Sequence, residues 1–388
     1  MRILFIGDTY LPVNCGMTSV INYLAEGLLS KGHRVSVIAN RESRNLAQNE
    51  VINGVCVYRF RLKRNHLNKV TGETNKLFDF IIQHNADVII FQALGSLPFD
   101  ALVPVIKKLP GKKILHSHGN TFATLQPFRF NDGLKNVLSS IKAKILLGWM
   151  NYVVYPDVIR QMDHVIILSR LCSDNKLMAR YARNLSVIGN AVDNMFLAEN
   201  VEGYNLHTKH ENYILSIASY YELKNQKLIV ESYGKLKAKG YSLVLIGQSR
   251  NEYYDVVRQM ADKLEARDTD KEVVMLTGID RKFFPSILRN ASLYVVASKK
   301  EEFSISLAEA MSSGVPFVST DVGNARELPG GVIVKKDADM SMALEMLLKD
   351  EAFRNGKSIE AKTYAFSNLR QNDAVDKLDK IISGLRCN

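Results

Sequence analysis

The sequence predicts an α/β protein with two domains, each built on a parallel sheet covered by helices on both faces. Short β-branched runs alternate with longer helical segments along the chain, which is the pattern of such sheets. The length of 388 residues is about twice that of an ordinary domain, so two domains are expected. The 46% apolar and 23% charged residues are typical of a globular chain with a full core.

The first domain is predicted to cover residues 1–199. Residues 3–6 form an apolar first strand, and residues 18–31 form an amphipathic helix that ends at Gly32, a common residue type after a helix. Further β-branched runs between turn-forming residues predict the remaining strands. These strands are expected at residues 34–39, 54–59, 87–91, 113–116, 165–168 and 185–188.

Residues 199–212 are polar and lack periodicity, which makes them the best candidate for a linker between the domains. The second domain is predicted to cover residues 200–366, with strands at residues 213–218, 242–247, 273–277, 293–297, 316–320 and 331–334. Helices are expected between these strands at residues 226–239, 253–267, 281–290 and 305–313. Residues 367–388 follow as a polar helical segment that is expected to pack back on the first domain.

The net charge of +11 is expected to attract acidic partners. Nucleic acid, an anionic membrane surface and phosphorylated substrates are all acidic, and the net charge alone does not distinguish among these three partners. The basic residues are dispersed, and no aromatic and basic motif of a known nucleic-acid reader is present. Nucleic acid is therefore not expected as a partner.

The cysteines and the apolar runs indicate the compartment. Cys15, Cys56, Cys172 and Cys387 are far apart and form no CxxC pair, which argues against a disulfide framework or a zinc site and suits a reducing cytosol. Residues 1–7 match a buried strand rather than a signal peptide. No run approaches the roughly 20 apolar residues that span a bilayer. We therefore expect a cytoplasmic protein, either free or bound at the inner face of the membrane.

Two basic segments favour contact with an acidic surface. The segment from Arg59 to Lys69 and the segment from Lys135 to Tyr155 both interleave cations with apolar side chains. The first could hold a nucleic-acid strand, an acidic lipid headgroup or a lipid-linked phosphate, and the second could form an interfacial amphipathic helix, so both are candidates for contact with an anionic membrane surface. The first segment is equally compatible with a solvated face, and the second with a helix buried against the core.

The most informative motif lies in residues 298–319. Its two carboxylates, Glu301 and Glu309, are eight positions apart across the start of a predicted helix, so both can face one side of it. A helix N-terminus attracts anions through its backbone N–H groups and its dipole. Carboxylates beside an anion site favour a ligand that has both phosphates and hydroxyls, such as a nucleotide-sugar.

Three more candidate residues follow predicted strands, where functional groups of open α/β sheets collect. Gly16 would let the backbone approach a phosphate, although an ordinary turn explains this glycine as well. His118 can donate a hydrogen bond to a sugar hydroxyl or a developing charge, or simply pack. Lys224 is placed to hold a diphosphate as a point charge, or is solvated. His116 and His118 have no further ligand at metal-site spacing, so no metal is expected.

With these residues in view, the chain resembles glycosyltransferase family 4, the retaining nucleotide-sugar-dependent enzymes of the GT-B fold, over nearly its whole length. The most specific match is the E-x7-E element of Glu301 and Glu309, where the family has E-G-F-G followed by E-A-M-A-x-G-x-P. Glu302 and Ser304 replace the two glycines. Matches to other family motifs occur in the same order along the chain, at residues 24–35, 190–196 and 322–327.

The resemblance implies two Rossmann-like, doubly wound domains facing each other across a cleft, with a C-terminal helix returning to the first. It implies that His118, Glu301 and Lys224 are catalytic. Glu301 would contact donor-sugar hydroxyls, Lys224 would neutralise the departing diphosphate, and His118 would lie beside the anomeric centre. The implied donor-binding residues are Gly16, Lys224, Glu301, Phe303, Ser304, Ile305 and Glu309, the last at the ribose.

Two departures from the family pattern affect the expected site. Ser219 stands where the family has an arginine, so half of the usual diphosphate clamp is absent or supplied elsewhere. Cys15 replaces the first glycine of the N-terminal loop. Because both glutamates, the lysine and the histidine remain, an active enzyme is still expected.

The predicted function is transfer of a hexose, with retention and without metal, from a UDP- or GDP-sugar to a glycan or polyprenyl-linked acceptor in cell-surface polysaccharide synthesis, as in lipopolysaccharide or capsule. No permanently bound cofactor is expected. One alternative is a nucleotide-sugar epimerase of similar shape, which would release free nucleotide and rearrange the sugar without an acceptor. A less favoured alternative is a nucleic-acid-binding protein.

Overall fold

The chain forms two compact units, Met1–Gly189 together with Ala374–Asn388, and Asn190–Asp373. The division between Gly189 and Asn190 precedes the polar stretch 199–212, because Val192 and Phe196 are fully buried in the core of the second unit. The computed structural model describes residues 1–13, 15–43, 45–65, 69–119, 145 and 148–386.

The first unit is built on a mostly parallel sheet. Its central strand is buried on both faces, which explains its continuous apolar sequence. The strands are β1 (Arg2–Ile6), β2 (Arg34–Asn40), β3 (Asn49–Ile52), β4 (Val55–Phe60), β7 (Val88–Gln92), β8 (Lys112–His116), β9 (His164–Ile167) and β10 (Leu185–Val187). Within the described residues their order in the sheet is β10-β9-β8-β7-β1-β2-β4-β3, and only β3 runs antiparallel to its neighbour. A separate antiparallel pair consists of β5 (Leu62–Arg64) and β6 (Val70–Gly72).

The helices of the first unit pack on this sheet. In the first helix the buried residues recur at helical spacing, and the chain leaves it through Gly32 at a φ of +85°, which glycine adopts without strain. The described helices are α1 (Gly16–Ser30), α2 (Thr74–His84), α3 (Leu97–Leu102), α4 (Tyr155–Arg160) and α5 (Asn175–Tyr181), with a 3₁₀ segment at Val103–Lys108 and a π-helical turn at Met150–Val154.

The sheet of the second unit is all parallel in the described residues. Its strands are β11 (Asn212–Ile217), β12 (Tyr241–Gly247), β13 (Val273–Thr277), β14 (Leu293–Val296), β15 (Phe317–Thr320) and β16 (Gly331–Val334). Their order in the sheet is β13-β12-β11-β14-β15-β16. Its helices are α6 (Gln226–Gly234), α7 (Glu252–Arg267), α8 (Phe284–Arg289), α9 (Ile305–Ser312), α10 (Met340–Lys349) and α11 (Glu351–Asn368). Short 3₁₀ turns lie at Asn194–Phe196, Arg281–Phe283, Ala325–Glu327 and Asp337–Asp339.

The C-terminal helix α12 (Gln371–Gly384) returns to the first unit, as predicted. Val375 packs against Gly27 of α1, where an added Cβ would lie 2.4 Å from a Val375 methyl carbon, so glycine permits the close approach. Nε2 of His33 lies 2.9 Å from Oδ1 of Asp379. The predicted helix from residue 367 is divided in two, because α11 ends at Asn368 before α12 begins.

The basic segment from Arg59 to Lys69 does not present all its cations to solvent. Arg59 is buried, donates a hydrogen bond to the Ala47 carbonyl at 3.0 Å and pairs with Glu50 of the antiparallel strand β3. Arg64 pairs with Asp100 at 2.6 Å. These arginines are held inside the fold because carboxylates distant in sequence neutralise them. Residues 66–68 of this segment lie outside the described residues, as do residues 135–144 and 146–147 of the second basic segment.

No helix within the described ranges combines the length and the apolar character that crossing a bilayer requires.

Candidate functional site

The order of the second sheet places two predicted site residues at the same edge. Strand β11 lies between β12 and β14, so successive connections run in opposite directions from it. Ligands of open α/β sheets bind where the strand order reverses, at the carboxyl ends of the strands. Lys224 follows β11 and Glu301 follows β14, and both line a small pocket there.

Lys224 and Glu301 form an ion pair between Nζ and Oε1. Their side chains are 22% and 13% exposed, so the pair is partly removed from water. Oε1 of Glu301 also accepts a hydrogen bond from Ser298 Oγ at 2.7 Å, and the Ser298 carbonyl accepts one from Thr320 Oγ1 at 2.7 Å. The Glu301 carboxylate is therefore fixed from two sides, and an incoming anion would compete with it for Lys224.

Helix α9 begins at this pocket. Ser304 is its N-cap, and Ser304 Oγ accepts a hydrogen bond from the Leu307 N–H at 3.4 Å. Ser304 is buried in the pocket lining, Ile305 is the first helical residue, and Phe303 packs against the core of the second unit. A serine at the position where the family has glycine thus caps the helix.

Gly323 supports the backbone next to Glu301. It has a φ of +51°, and a Cβ at this position would lie 2.7 Å from the Glu302 carbonyl oxygen and 3.0 Å from that of Glu301. A side chain here would displace the carboxylate-bearing loop. Glycine is therefore required for the close approach of the loop from 322 to 327.

Glu309 is buried within α9 at 2% exposure and pairs with Arg281. Burial raises the pKa of Glu309, while the positive charge and hydrogen bond of Arg281 act in the opposite direction. The Arg281 side chain is 45% exposed, and its guanidinium carbon lies 5.3 Å from the ring centroid of Phe196. Arg281 was not predicted, although its place in the loop after β13, at the same sheet edge, was an available signal.

Ser219, where the family has an arginine, is held through its backbone carbonyl group. Nε2 of Gln226 donates hydrogen bonds to the Ala218 carbonyl at 3.2 Å and to the Ser219 carbonyl at 3.0 Å. These bonds tie the start of the loop to the start of helix α6. Lys224 lies in the same loop and lines the pocket.

In the first unit, strand β1 lies between β2 and β7, which makes the β1–β7 edge the corresponding reversal point. Gly16 opens α1 and is exposed, directly after Cys15. Burial alone would raise the pKa of the Cys15 thiol, but hydrogen bonds with Thr18 and Thr9 lower it. The first helix therefore starts with a polarised thiol at the position where the family has glycine.

His118 follows β8 and is partly exposed, whereas His116 is the last residue of β8 and is buried. Nε2 of His118 lies 2.6 Å from Oε1 of Gln92, the last residue of β7. Burial lowers the pKa of His118 to about 4, so its ring is neutral at pH 7. Gln92 was not predicted; its signal was a polar residue at the end of an otherwise apolar strand.

The predicted site residues thus fall into two groups. His118 and Gly16 belong to the first unit, whereas Lys224, Glu301 and Glu309 belong to the second. Within the described ranges, no group of three or more histidine, cysteine, aspartate and glutamate side chains has a metal-binding arrangement.

Two family models match the chain in succession. Residues 15–195 match the model described as Glycosyltransferase Family 4, and residues 199–363 match the model described as Glycosyl transferases group 1. The gpi3 subunit of phosphatidylinositol N-acetylglucosaminyltransferase from Schizosaccharomyces pombe is 23% identical over 330 residues. That match covers 83% of this chain and 66% of the relative, so the chain spans slightly less than two thirds of that protein.

Solved structures show the same architecture. Sucrose-phosphate synthase from Thermosynechococcus elongatus superposes with a TM-score of 0.72 at 14% identity, covering 100% of this chain and 99% of the other. HepE from Anabaena, solved in complex with UDP, superposes with a TM-score of 0.69 at 15% identity. The superposition covers 99% of this chain and 100% of the HepE chain. The fold and the matched family models together define a sugar-transferring enzyme with two Rossmann-like units. The chain is a family 4-like glycosyltransferase of the GT-B fold.

Proposed function

We propose that this glycosyltransferase moves a hexose from a nucleotide-sugar, with retention of anomeric configuration, to a glycan or polyprenyl-linked acceptor in cell-surface polysaccharide synthesis. The observation that carries the proposal is the pairing of Lys224 with Glu301 at the strand-order reversal of the second sheet. One cation for phosphate and one carboxylate for hydroxyls are the two groups that a sugar diphosphate needs.

The donor is proposed to bind along helix α9. Glu301 accepts hydrogen bonds from sugar hydroxyls, Lys224 takes the diphosphate, and the backbone N–H groups near Phe303, Ser304 and Ile305 add donors at the helix start. Glu309 then holds the ribose, and Gly16 of the first unit allows a close backbone approach to phosphate. The structural neighbour HepE from Anabaena was solved in complex with UDP, which supports a nucleoside diphosphate sugar as the donor.

In the proposed reaction the bond between the anomeric carbon and the phosphate oxygen breaks, and the acceptor hydroxyl oxygen forms the new bond on the same face. The hydroxyl proton passes to the departing diphosphate. Negative charge grows on the leaving phosphate in the transition state, so the fixed charge of Lys224 lowers the barrier without a metal ion. His118 contacts a substrate hydroxyl near the anomeric carbon.

A ligand screen tests the donor site. We expect one UDP- or GDP-sugar to raise the melting temperature, because a ligand that binds only the native state stabilises it. Turnover of that donor should survive EDTA, and NMR of the product should show the anomeric configuration of the donor. No stabilisation by any nucleotide-sugar would contradict the proposal. Release of free nucleotide with a rearranged sugar in the absence of acceptor would favour the epimerase.

We also propose that the enzyme works in the cytoplasm at an anionic membrane surface, where a lipid-linked acceptor is found. The described residues just before α4 support this, because Trp149, Tyr152 and Val153 are 54%, 80% and 56% exposed. Aromatic side chains favour the boundary between water and lipid, and the net charge of +11 adds attraction to acidic headgroups.

Vesicle binding tests the membrane contact. The wild-type chain should sediment with phosphatidylglycerol vesicles at low salt, and the Trp149→Ala/Tyr152→Ala variant should bind about a hundredfold more weakly or worse, since each buried aromatic contributes roughly 1.5–3 kcal/mol. Met342→Ala is the matched control, because Met342 is 65% exposed on the second unit. Equal vesicle binding by the double variant and the wild type would remove this surface from the proposal.

A further inference from the structure

We propose that Gln92 is a positioning residue that fixes the Nε2–H tautomer of His118, so that Nδ1 of His118 accepts a hydrogen bond from a substrate hydroxyl. The inference rests on the proposed function for the presence of a substrate beside His118. It changes the role expected from the sequence, where His118 was a hydrogen-bond donor.

The contact between the two side chains determines where the proton lies. Oε1 of Gln92 is 2.6 Å from Nε2 of His118, and a carbonyl oxygen can only accept a hydrogen bond. The imidazole must therefore carry its proton on Nε2 and donate it to Gln92. A neutral imidazole has one N–H group, so the lone pair is left on Nδ1.

The surroundings keep the ring of His118 neutral. Its neighbouring titratable group is His116, whose ring centroid lies 4.5 Å away. Burial lowers the pKa of both histidines. Repulsion from a protonated His118 lowers the pKa of His116 further. In the described part of the chain, Nδ1 of His118 has no hydrogen-bond partner. The nitrogen is thus available to accept, and it cannot act as a cation towards phosphate at neutral pH.

Gln92 itself is held at a cost to stability. Its side chain is fully buried, and among the described residues neither its Nε2 nor the two ring nitrogens of the buried His116 have a hydrogen-bond partner. Buried polar atoms without partners destabilise a fold, so apolar residues would suit a purely structural role better.

The backbone after Gln92 adds to this strain. Ala93 has a φ of +68°, a left-handed conformation that is unfavourable for a residue other than glycine. Such strain concentrates at functional sites, where the surrounding structure maintains it. The fold therefore retains a strained turn and unsatisfied polar groups where Gln92 meets His118.

Nitrogen-15 NMR of the histidine rings tests the tautomer without any activity assay. The wild-type spectrum should show a protonated Nε2 and an unprotonated Nδ1 for His118, assigned by loss of the signal in His118→Asn. His164, whose Nε2 lies 2.9 Å from Ser186 Oγ, serves as an internal reference. In Gln92→Met, which keeps the volume but removes the acceptor, the His118 signals should change to a mixture of tautomers while those of His164 stay the same. A wild-type His118 protonated on Nδ1 would overturn the proposal.

Kinetics test the consequence for the substrate. Gln92→Met should lower kcat about tenfold, equivalent to a barrier change near 1.4 kcal/mol. In Gln92→Glu the carboxylate should raise the pKa of His118, because an opposite charge stabilises the imidazolium. Activity requires the neutral ring, so it is lost as pH falls through this pKa. The acid limb should therefore lie near pH 4 in the wild type and at a higher pH in Gln92→Glu.

The exposed Gln83→Met on α2 is the matched control and should retain wild-type kcat and pH profile. Wild-type kinetics in Gln92→Met, or an unmoved acid limb in a folded Gln92→Glu, would contradict the positioning role. If the wild type transfers no sugar at all, the proposed function fails, whereas the tautomer of His118 is still decided by the spectrum.

Discussion

Replacing Lys224 with alanine is expected to lower kcat by about 100- to 1,000-fold, the usual effect of removing a group that stabilises developing negative charge. The Lys224 ammonium is only 22% exposed and is already oriented by Glu301, so it needs little rearrangement to meet the leaving phosphate. The measurement is turnover at saturating donor and acceptor. Binding of the acceptor should change little, because Lys224 is proposed to contact the donor.

The loss of Lys224 also leaves Glu301 without its cation, so a second variant is needed to separate the two effects. Lys224→Ala combined with Glu301→Gln removes the unpaired carboxylate charge, and turnover should remain low in this double variant. Lys227→Ala is the matched control, because Lys227 lies on α6 and contacts the ring of Tyr253 instead of the pocket. If Lys224→Ala turned over like the wild type, Lys224 would have no part in the chemical step.

Replacing Glu309 with alanine is expected to weaken binding of the free nucleotide by roughly 10- to 100-fold, since a hydrogen bond to a charged group contributes about 1.5–3 kcal/mol. Glu309 is held in place by Arg281 and by its burial in α9, so no other part of the helix can replace its carboxylate. Thermal stability should fall only slightly, because the Arg281 left behind is 45% exposed and can be hydrated. Calorimetric titration with UDP and GDP measures the effect.

The pH dependence of nucleotide binding provides a second test of Glu309. Burial raises the pKa of this carboxyl group, so its ionised form is lost at a higher pH than that of an ordinary glutamate. Nucleotide affinity should therefore decline on acidification in the wild type and vary less in Glu309→Ala. Glu351→Ala, a substitution of an exposed carboxylate at the start of α11, is the control. Wild-type nucleotide affinity in Glu309→Ala would refute the ribose assignment.

Much of the fold could be predicted because its parallel strands are buried on both faces and read as continuous apolar runs. Strands β1, β11 and β12 illustrate this, and each occurs within one residue of its predicted bounds. Three short strands, β3, β5 and β6, were not predicted. Strand β3 alternates exposed and half-buried residues, and β5 and β6 have three residues each, so none has a long apolar run.

The partners of the site residues could not be predicted from local patterns. Arg281 and Glu309 are 28 positions apart in sequence, Gln92 and His118 are 26 apart, and Lys224 and Glu301 are 77 apart. No periodicity within one helix or strand relates residues at such separations. They meet because parallel strands bring their following loops to one edge of a sheet.

The sequence by itself determined the alternation of strands and helices, the family to which the chain belongs and the identity of the proposed site residues Glu301, Glu309, Lys224 and His118. Only the tertiary structure decided which charges are paired, which histidine is buried and which arginine neutralises a carboxylate inside the fold. The physical reason is that residue type and spacing specify local structure, whereas burial and charge pairing depend on contacts between segments distant along the chain.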